Sequence, residues 1–362
     1  MIDSKRIPYL DGLRAISIML VMFAHGLYSM PFSDSYFYLV AANSTLGVIT
    51  FFVISGFLIT SILLREYEKT NTINLKKFYI RRSFRIFPIF YVYISVVLIL
   101  VYGLHVIKIA DMDLFFSSIY LANYKSLIYH LLDLSTPVSP DHWFIGHLWT
   151  LSLEEQFYLL WPFLIVILGL TRTKKMLYVI IFIYPLVRII TYYSIPAVRG
   201  QIGMMLHTMG DSIFFGCFAA FLQKEYKEKI FVIADNIKKN KRYLIYIIIF
   251  IAMVLSPVLS FFLKGTYTVT VGYSIYASCM TMIILYILNS EDPIFDFLNN
   301  KILIHIGVLS YSLYVWQQLF LTPKHQTAWG FFPVNFICCY FIALVSYHCI
   351  EKPFLKLRDR IS

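Results

Sequence analysis

Long apolar segments recur along the whole 362-residue chain. A bilayer core of about 30 Å is crossed by roughly 20 helical residues, and only 14% of the residues are charged, too few to cover a soluble protein of this size. These features predict an all-α integral membrane protein, a bundle of about ten transmembrane helices within one membrane domain, 1–362. The candidate spans lie near 9–29, 44–64, 84–103, 147–170, 175–193, 205–223, 243–263, 269–288, 303–321 and 331–350.

The basic residues indicate the orientation of these spans. The formal net charge is +11, but the 31 Lys and Arg lie in short runs between apolar segments, which favours membrane lipids over nucleic acid as partners. If the N-terminus is cytoplasmic, 24 of the 31 fall on the inner side, so we expect both termini there. The weaker segment 112–132 is placed at the outer interface; if it crossed the membrane, the later topology would invert. The five cysteines lie in apolar segments without metal-ligand spacing, so no metal site is expected.

The first span contains three ionisable residues, Asp11, Arg14 and His25. Because such groups cost at least a few kcal/mol inside a bilayer, they tend to face a cavity or a partner. Arg14 and His25 lie eleven residues apart on one helix face, about 16 Å along the axis. The alternative is that all three lie at the headgroups.

Basic and acidic residues also mark the third and fourth spans. Arg82 and Arg85 lie one turn apart and could bind a phosphate together, although an ordinary basic flank would bind lipid headgroups instead. In the fourth span, Glu154 lies on one stripe with His147 and Tyr158, beside Trp149. Glu154 could instead form a structural pair with an arginine such as Arg188.

The ninth span presents hydroxyl and amide groups, Ser310, Tyr314 and Gln317, on one face. They could bind a sugar or a pantetheine arm, or serve as ordinary interhelical hydrogen-bond partners. The bundle thus combines arginines at its cytoplasmic edge with an imidazole and a carboxylate. This combination suggests group transfer from a phosphorylated inner donor to an outer acceptor.

Six motifs in order resemble the membrane acyltransferase-3 family, which includes O-antigen and exopolysaccharide acetylases. They are LDGLRAISIMLVMFAHG at 10–26, FFVISGFLIT at 51–60, FYIRRSFRIFPIFY at 78–91, HLWTLSLEEQFYLLWP at 147–162, SYSLYVW at 310–316 and IEKPF at 350–354. One departure is clear: many relatives carry histidine where this chain has Gln317.

The resemblance implies a role for particular residues. His25 would be the catalytic histidine, and Arg82 and Arg85 would bind the phosphates of coenzyme A. Glu154 matches the glutamate of the family motif; in the reaction that we expect, Glu154 or Asp11 would set the charge state of His25. The resemblance and the spacing together give a wider substrate-binding set: Arg14, Arg82, Arg85, Trp149, Tyr158, Tyr311 and Tyr314.

The sequence therefore predicts a multi-pass protein of the bacterial inner membrane that transfers an acetyl or short acyl group from cytoplasmic acetyl-CoA. The expected acceptor is a hydroxyl of a cell-surface glycan or lipid-linked saccharide. Direct transfer and an acyl-histidine intermediate both remain open. The alternatives are acylation of a small molecule such as a macrolide, and a transporter or flippase that uses His25 and Glu154 as a proton relay.

Overall fold

The computed structural model describes residues 7–29, 43–322 and 330–361, and these residues form helices and connecting turns without a β-strand. The longer helices are α1 (Pro8–Gly26), α2 (Ser44–Thr70), α3 (Leu75–Leu98), α4 (Asp111–Ser118), α5 (Lys125–Leu131), α6 (Leu148–Ser194), α7 (Asp211–Glu225), α8 (Lys227–Asn240), α9 (Tyr243–Phe250), α10 (Ser256–Leu263), α11 (Tyr273–Ser290), α12 (Lys301–Phe320), α13 (Val334–Ser346) and α14 (Lys352–Ile361). π-helical turns extend α3 to Gly103, join α9 to α10, precede α11 and join α13 to α14. Single turns at Trp143–Gly146 and Leu206–Met209 precede α6 and α7.

Within the described residues, six helical stretches are long and apolar enough to cross a membrane. They are Ser44–Thr70, Leu75–Gly103, Trp143–Ser194, Tyr243–Leu263, Gly265–Ser290 and Val334–Arg360. The chain is therefore a multi-pass membrane protein. These stretches cover seven of the ten predicted spans, because Trp143–Ser194 contains two of them.

The remaining three predicted spans are also helical, as α1, α7 and α12, but they are shorter or more polar. α7 has 15 residues, α1 contains Asp11 and Arg14, and α12 contains two adjacent glutamines. The count of ten and the cytoplasmic position of both termini stay predictions. Lys5, Arg6 and Lys324, which enter the charge argument, lie outside the described residues.

α6 contains the clearest break in a long helix. Its 47 residues include Gly169 in a non-helical conformation, with φ 72° and ψ 162°. A residue with a Cβ rarely adopts such a positive φ, so glycine allows the chain to change direction here. The break lies at the end of the predicted span 147–170, shortly before the span 175–193, and it separates two helical segments.

The segment between α3 and α6 holds only short helices, α4 with eight residues and α5 with seven. Neither reaches the roughly 20 residues that a crossing needs. Buried polar contacts fix this segment: the Lys125 ammonium lies 3.2 Å from the Asp113 carboxylate, which also accepts hydrogen bonds from Ser139 and Tyr129. Although burial raises the pKa of Asp113, the Ser139 hydrogen bond and the Lys125 charge hold it below its ordinary value.

Glycines bring two pairs of helices into close contact. A Cβ on Gly307 of α12 would overlap the backbone carbonyl of Asp11 on α1, and a Cβ on Gly56 of α2 would overlap the carbonyl of Ile213 on α7. α1 therefore packs directly along α12. Since both helices continue past Gly307 and Asp11 to the same end of the bundle, their later residues also meet.

Candidate active site

His25 lies near the end of α1, where α12 and the Trp143–Gly146 turn meet it. Its Nδ1 atom is 3.1 Å from Oε1 of Gln317 on α12. The Trp143 ring stands edge-on to the imidazole, with 5.3 Å between the ring centroids. Gln317 is fully buried. We call this end of the bundle the histidine end.

A second imidazole, that of His147, lies at the same end and is held by the next glutamine. Its Nδ1 atom is 2.7 Å from Oε1 of Gln318, and its Nε2 atom is 3.0 Å from the backbone oxygen of Val315. The hydroxyl of Tyr314 donates to the backbone oxygen of His147 at 3.0 Å and accepts from Thr150 at 2.6 Å. Both ring nitrogens of His147 therefore have hydrogen-bond partners within the protein, which indicates a structural role beside His25.

Three arginines gather at the opposite end of α1, which we call the arginine end. Arg14 lies 3.5 Å from Asp11 and close enough to Arg82 and Arg85 for their charges to interact. The guanidinium of Arg82 lies over the ring of Tyr158, 4.4 Å from its centroid, a cation–π contact.

The guanidinium groups of Arg82 and Arg85 form no ion pair within 4 Å and no hydrogen bond to another described residue. A guanidinium carries five N–H donors in a planar fork that matches phosphate oxygens. The geometry therefore leaves two half-buried guanidinium groups on α3 available to an anionic ligand.

Carboxylates lie among these arginines. Glu154 accepts a hydrogen bond from Ser55 of α2 at 2.7 Å, and the Tyr158 hydroxyl donates to the same Ser55 oxygen at 3.2 Å. Glu351, from the π-turn after α13, is buried and accepts from Ser312 at 3.0 Å. Glu154 and Glu351 thus offset part of the positive charge without blocking the guanidinium groups.

The structure separates the two predicted carboxylate partners from His25. Glu154 lies seven residues along α6 from His147, about 10 Å toward the arginine end, and Asp11 lies 14 residues from His25, about 21 Å away along α1. Neither forms a hydrogen bond to His25, whose described polar partner is Gln317. The expectation that one of them sets the charge state of His25 therefore finds no contact in this structure.

The predicted aromatic residues divide between the two ends. Tyr158 belongs to the arginine end and Tyr314 to the histidine end. Tyr311 lies between them and donates its hydroxyl to the backbone oxygen of Ile86 on α3 at 2.7 Å. Trp149 is half-buried and packs edge-on against Phe52, so its described contact is inside the bundle. The assignment of these rings to substrate binding stays a prediction.

Arg188, considered from the sequence as a partner for Glu154, has a different one. Its guanidinium lies 2.6 Å from the carboxylate of Asp211 on α7, and both side chains are fully buried. Asp211 also accepts from Ser274 at 2.6 Å, and Arg188 donates to the backbone oxygen of Thr208. This ion pair joins α6, α7 and α11 away from the arginine end.

Sequence reasoning missed several residues of the site. Ser55 lies within the quoted FFVISGFLIT motif but received no role, although a hydroxyl in an apolar run is itself a signal. Glu351 lies in the quoted IEKPF motif and was also unassigned. The contact of Gln317 with His25 joins residues 292 positions apart, so no local pattern could have predicted it.

The model of the family described as "Acyltransferase domain" matches residues 7–347. The chain belongs to this family. A Staphylococcus aureus (strain COL) relative named "Putative O-acetyltransferase" is 32% identical over 97% of this chain and 58% of its own length. "O-acetyltransferase OatA" of S. aureus (strain NCTC 8325 / PS 47) is 29% identical over 98% of this chain and 58% of its own length.

A third relative is "Peptidoglycan O-acetyltransferase OatA" of Listeria monocytogenes serovar 1/2a, which is 36% identical over 48% of this chain and 26% of its own length. The chain thus spans about 58% of the length of the two S. aureus relatives. No solved structure matches it. The family membership confirms the resemblance drawn from the six motifs.

Proposed function

We propose that the chain is a membrane O-acetyltransferase that takes an acetyl group from acetyl-CoA and transfers it to a hydroxyl of a cell-surface glycan. One observation carries this proposal: α1 bears a histidine at one end and an arginine group at the other. These are eleven residues, about 16 Å, apart along the axis. The separation is comparable to an extended pantetheine arm, which would carry the thioester from the arginines to His25.

In this mechanism, Arg82 and Arg85 bind the phosphates of coenzyme A, and Arg14 adds positive charge beside them. His25 removes the proton of the acceptor hydroxyl, whose oxygen attacks the acyl carbon of the thioester. The carbon–sulfur bond then breaks, and the proton passes from His25 to the thiolate, giving the acetyl ester and free coenzyme A. A transient acetyl-histidine would be the covalent alternative.

The proposed acceptor is a polysaccharide or a lipid-linked saccharide at the surface of the bacterial inner membrane. Support comes from a relative whose name specifies peptidoglycan. At the histidine end, the half-buried Trp143 ring lies edge-on to His25, and the half-buried Phe336 ring packs at the neighbouring Gly26. Aromatic faces of this kind suit the apolar faces of sugar rings.

The decisive experiment follows acetyl label from acetyl-CoA into the lipid and polysaccharide fractions of membranes that contain the protein. Wild type should incorporate label. His25→Ala at matched expression should incorporate it about 100-fold more slowly or worse, since a general base contributes roughly 10²–10⁴-fold to the rate. The control is His348→Ala, which removes an exposed imidazole whose hydrogen bond among the described residues is to the backbone oxygen of Leu344 on α13.

Three outcomes separate the alternatives. Undiminished transfer by His25→Ala would keep the enzyme and overturn the role of His25. No transfer by wild type, with native acceptors present, would favour the transporter hypothesis. Label retained on the protein after rapid quenching with acetyl-CoA alone would establish the covalent route.

A further inference from the structure

Gln317 makes the polar contact that defines the orientation of His25. In the described part of the chain, the hydrogen bond of the imidazole is the 3.1 Å contact between Nδ1 and the amide oxygen of Gln317. The amide is fully buried, so it has little freedom to turn away. The Trp143 ring supports the imidazole edge-on. Together these contacts hold the ring in one position.

The chemical nature of this partner selects one tautomer. A neutral imidazole carries its proton on either Nδ1 or Nε2, and the nitrogen without the proton is the base. An amide oxygen accepts but does not donate, so its contact with Nδ1 requires the proton on Nδ1. Nε2 then carries the lone pair. The opposite amide orientation would place the proton on Nε2 and leave the site without a base there.

A further observation favours a functional reason for this amide. The Nε2 atom of Gln317 is buried and has no hydrogen-bond partner among the described residues. A buried donor left without a partner destabilises the folded protein. An apolar side chain of similar size would avoid that cost. The glutamine is therefore poorly explained as packing, and its contact with His25 supplies the reason for its presence.

We propose that Gln317 is the positioning residue of His25: it holds the Nδ1–H and thereby presents Nε2 as the base that accepts the hydroxyl proton. This inference rests on the proposed function. The proton goes from the hydroxyl to Nε2 as the oxygen–acyl bond forms, and from Nε2 to the thiolate as the carbon–sulfur bond breaks. Gln317 neither gives up nor takes up a proton in either step.

The groups packed around His25 determine how its protonation should respond to pH. α12 contributes Gln317, and α13 contributes Phe336, which packs at Gly26. The turn beside the ring is flanked by His142, which is hydrogen-bonded to Lys125 at 2.6 Å, and by His147, which is held by Gln318. Among the described residues no carboxylate forms a hydrogen bond to the imidazole. Placing one at position 317 therefore tests the contact directly.

The experiment measures the initial rate of acetyl transfer against pH for wild type, Gln317→Glu and Gln317→Met. A carboxylate at this position stabilises the imidazolium, so the acidic limb of the Gln317→Glu profile should move up by about one pH unit. Gln317→Met removes the acceptor; its maximal rate should fall about 10- to 100-fold, with the KM for acetyl-CoA changed less than about twofold.

Controls separate positioning from structure. Gln223→Met removes a half-buried amide that pairs with Asn289 far from His25, and it should leave the pH profile unchanged. If both Gln317 variants keep the wild-type acidic limb, the proposal is overturned, whatever their yield. A ¹⁵N spectrum of histidine-labelled wild type supplies a measurement that needs no variant: the proposal requires the Nδ1–H tautomer for His25. Failure of the proposed function would instead be seen as absent transfer by wild type.

Discussion

At the residue scale, the arginine end shows why the choice of arginine matters. Arg82 combines a fork of N–H donors with a stacking contact on Tyr158, 4.4 Å from the ring centroid. Lysine has a compact charge and cannot reproduce either feature. The neighbouring Arg81 is also half-buried but lies a quarter-turn away on α3, outside the contacts described for Arg82.

We therefore expect Arg82→Lys to raise the KM for acetyl-CoA about tenfold while changing kcat much less, because the contact is made in the ground state and the transition state alike. Arg81→Ala is the matched control and should change KM less than about twofold. Steady-state kinetics over a range of acetyl-CoA concentrations measure both. Equal effects of the two substitutions would contradict a specific role for Arg82 in donor binding.

Sequence reasoning located the ionisable residues but not all of their partners. His25, Arg82 and Glu154 were predicted because charge inside an apolar run is visible residue by residue. Partners such as Ser55 and Gln317 are set by how helices from distant parts of the chain pack. The alternative in which Glu154 pairs with Arg188 is wrong for the same reason, since Arg188 forms its ion pair with Asp211.

At the element scale, the site depends on the close approach of α1 and α12. Gly307 lets the helices touch at Asp11, and Gln317 reaches His25 ten residues further along α12. A single methyl group at Gly307 would collide with backbone, which cannot move aside as a flexible side chain would. The helix pair is thus a structural precondition for the hydrogen bond to His25.

Gly307→Ala should lower the stability of the protein by about 1–3 kcal/mol through overpacking, and it should also reduce acetyl transfer by separating Gln317 from His25. Thermal unfolding in detergent and the transfer assay measure the two effects. Gly200→Ala is the control, because a Cβ at Gly200 meets no atom within 4 Å. If Gly307→Ala matched this control in both assays, the close contact of α1 and α12 would be unimportant.

At the scale of the whole molecule, the sequence predicted the all-helical membrane fold well because apolar length is a strong signal. It also divided α6 into two spans within a few residues of the break at Gly169, because basic residues at 171–175 interrupt the apolar pattern. Whether α1, α7 and α12 cross the membrane stays a prediction, since α7 has only 15 residues and polar residues lower the hydropathy of α1 and α12.

The ten-span arrangement makes a prediction for accessibility. In a variant without its five cysteines, single cysteines at Val138 and Lys264 should react with a membrane-impermeant maleimide from outside the cell. Cysteines at Thr72 and Lys239 should react only after permeabilisation. Labelling of Val138 and Lys264 from opposite sides would refute the arrangement.

The neutral partner of His25 has an energetic consequence. In the proposed reaction, the proton that His25 would take from the acceptor leaves on the departing thiol, and the neutral amide beside His25 adds no further titrating group to that path. Esterification then consumes and releases no net proton. The reaction would draw nothing from the proton-motive force, and the thioester bond alone would drive the modification of a glycan, even in a de-energised membrane.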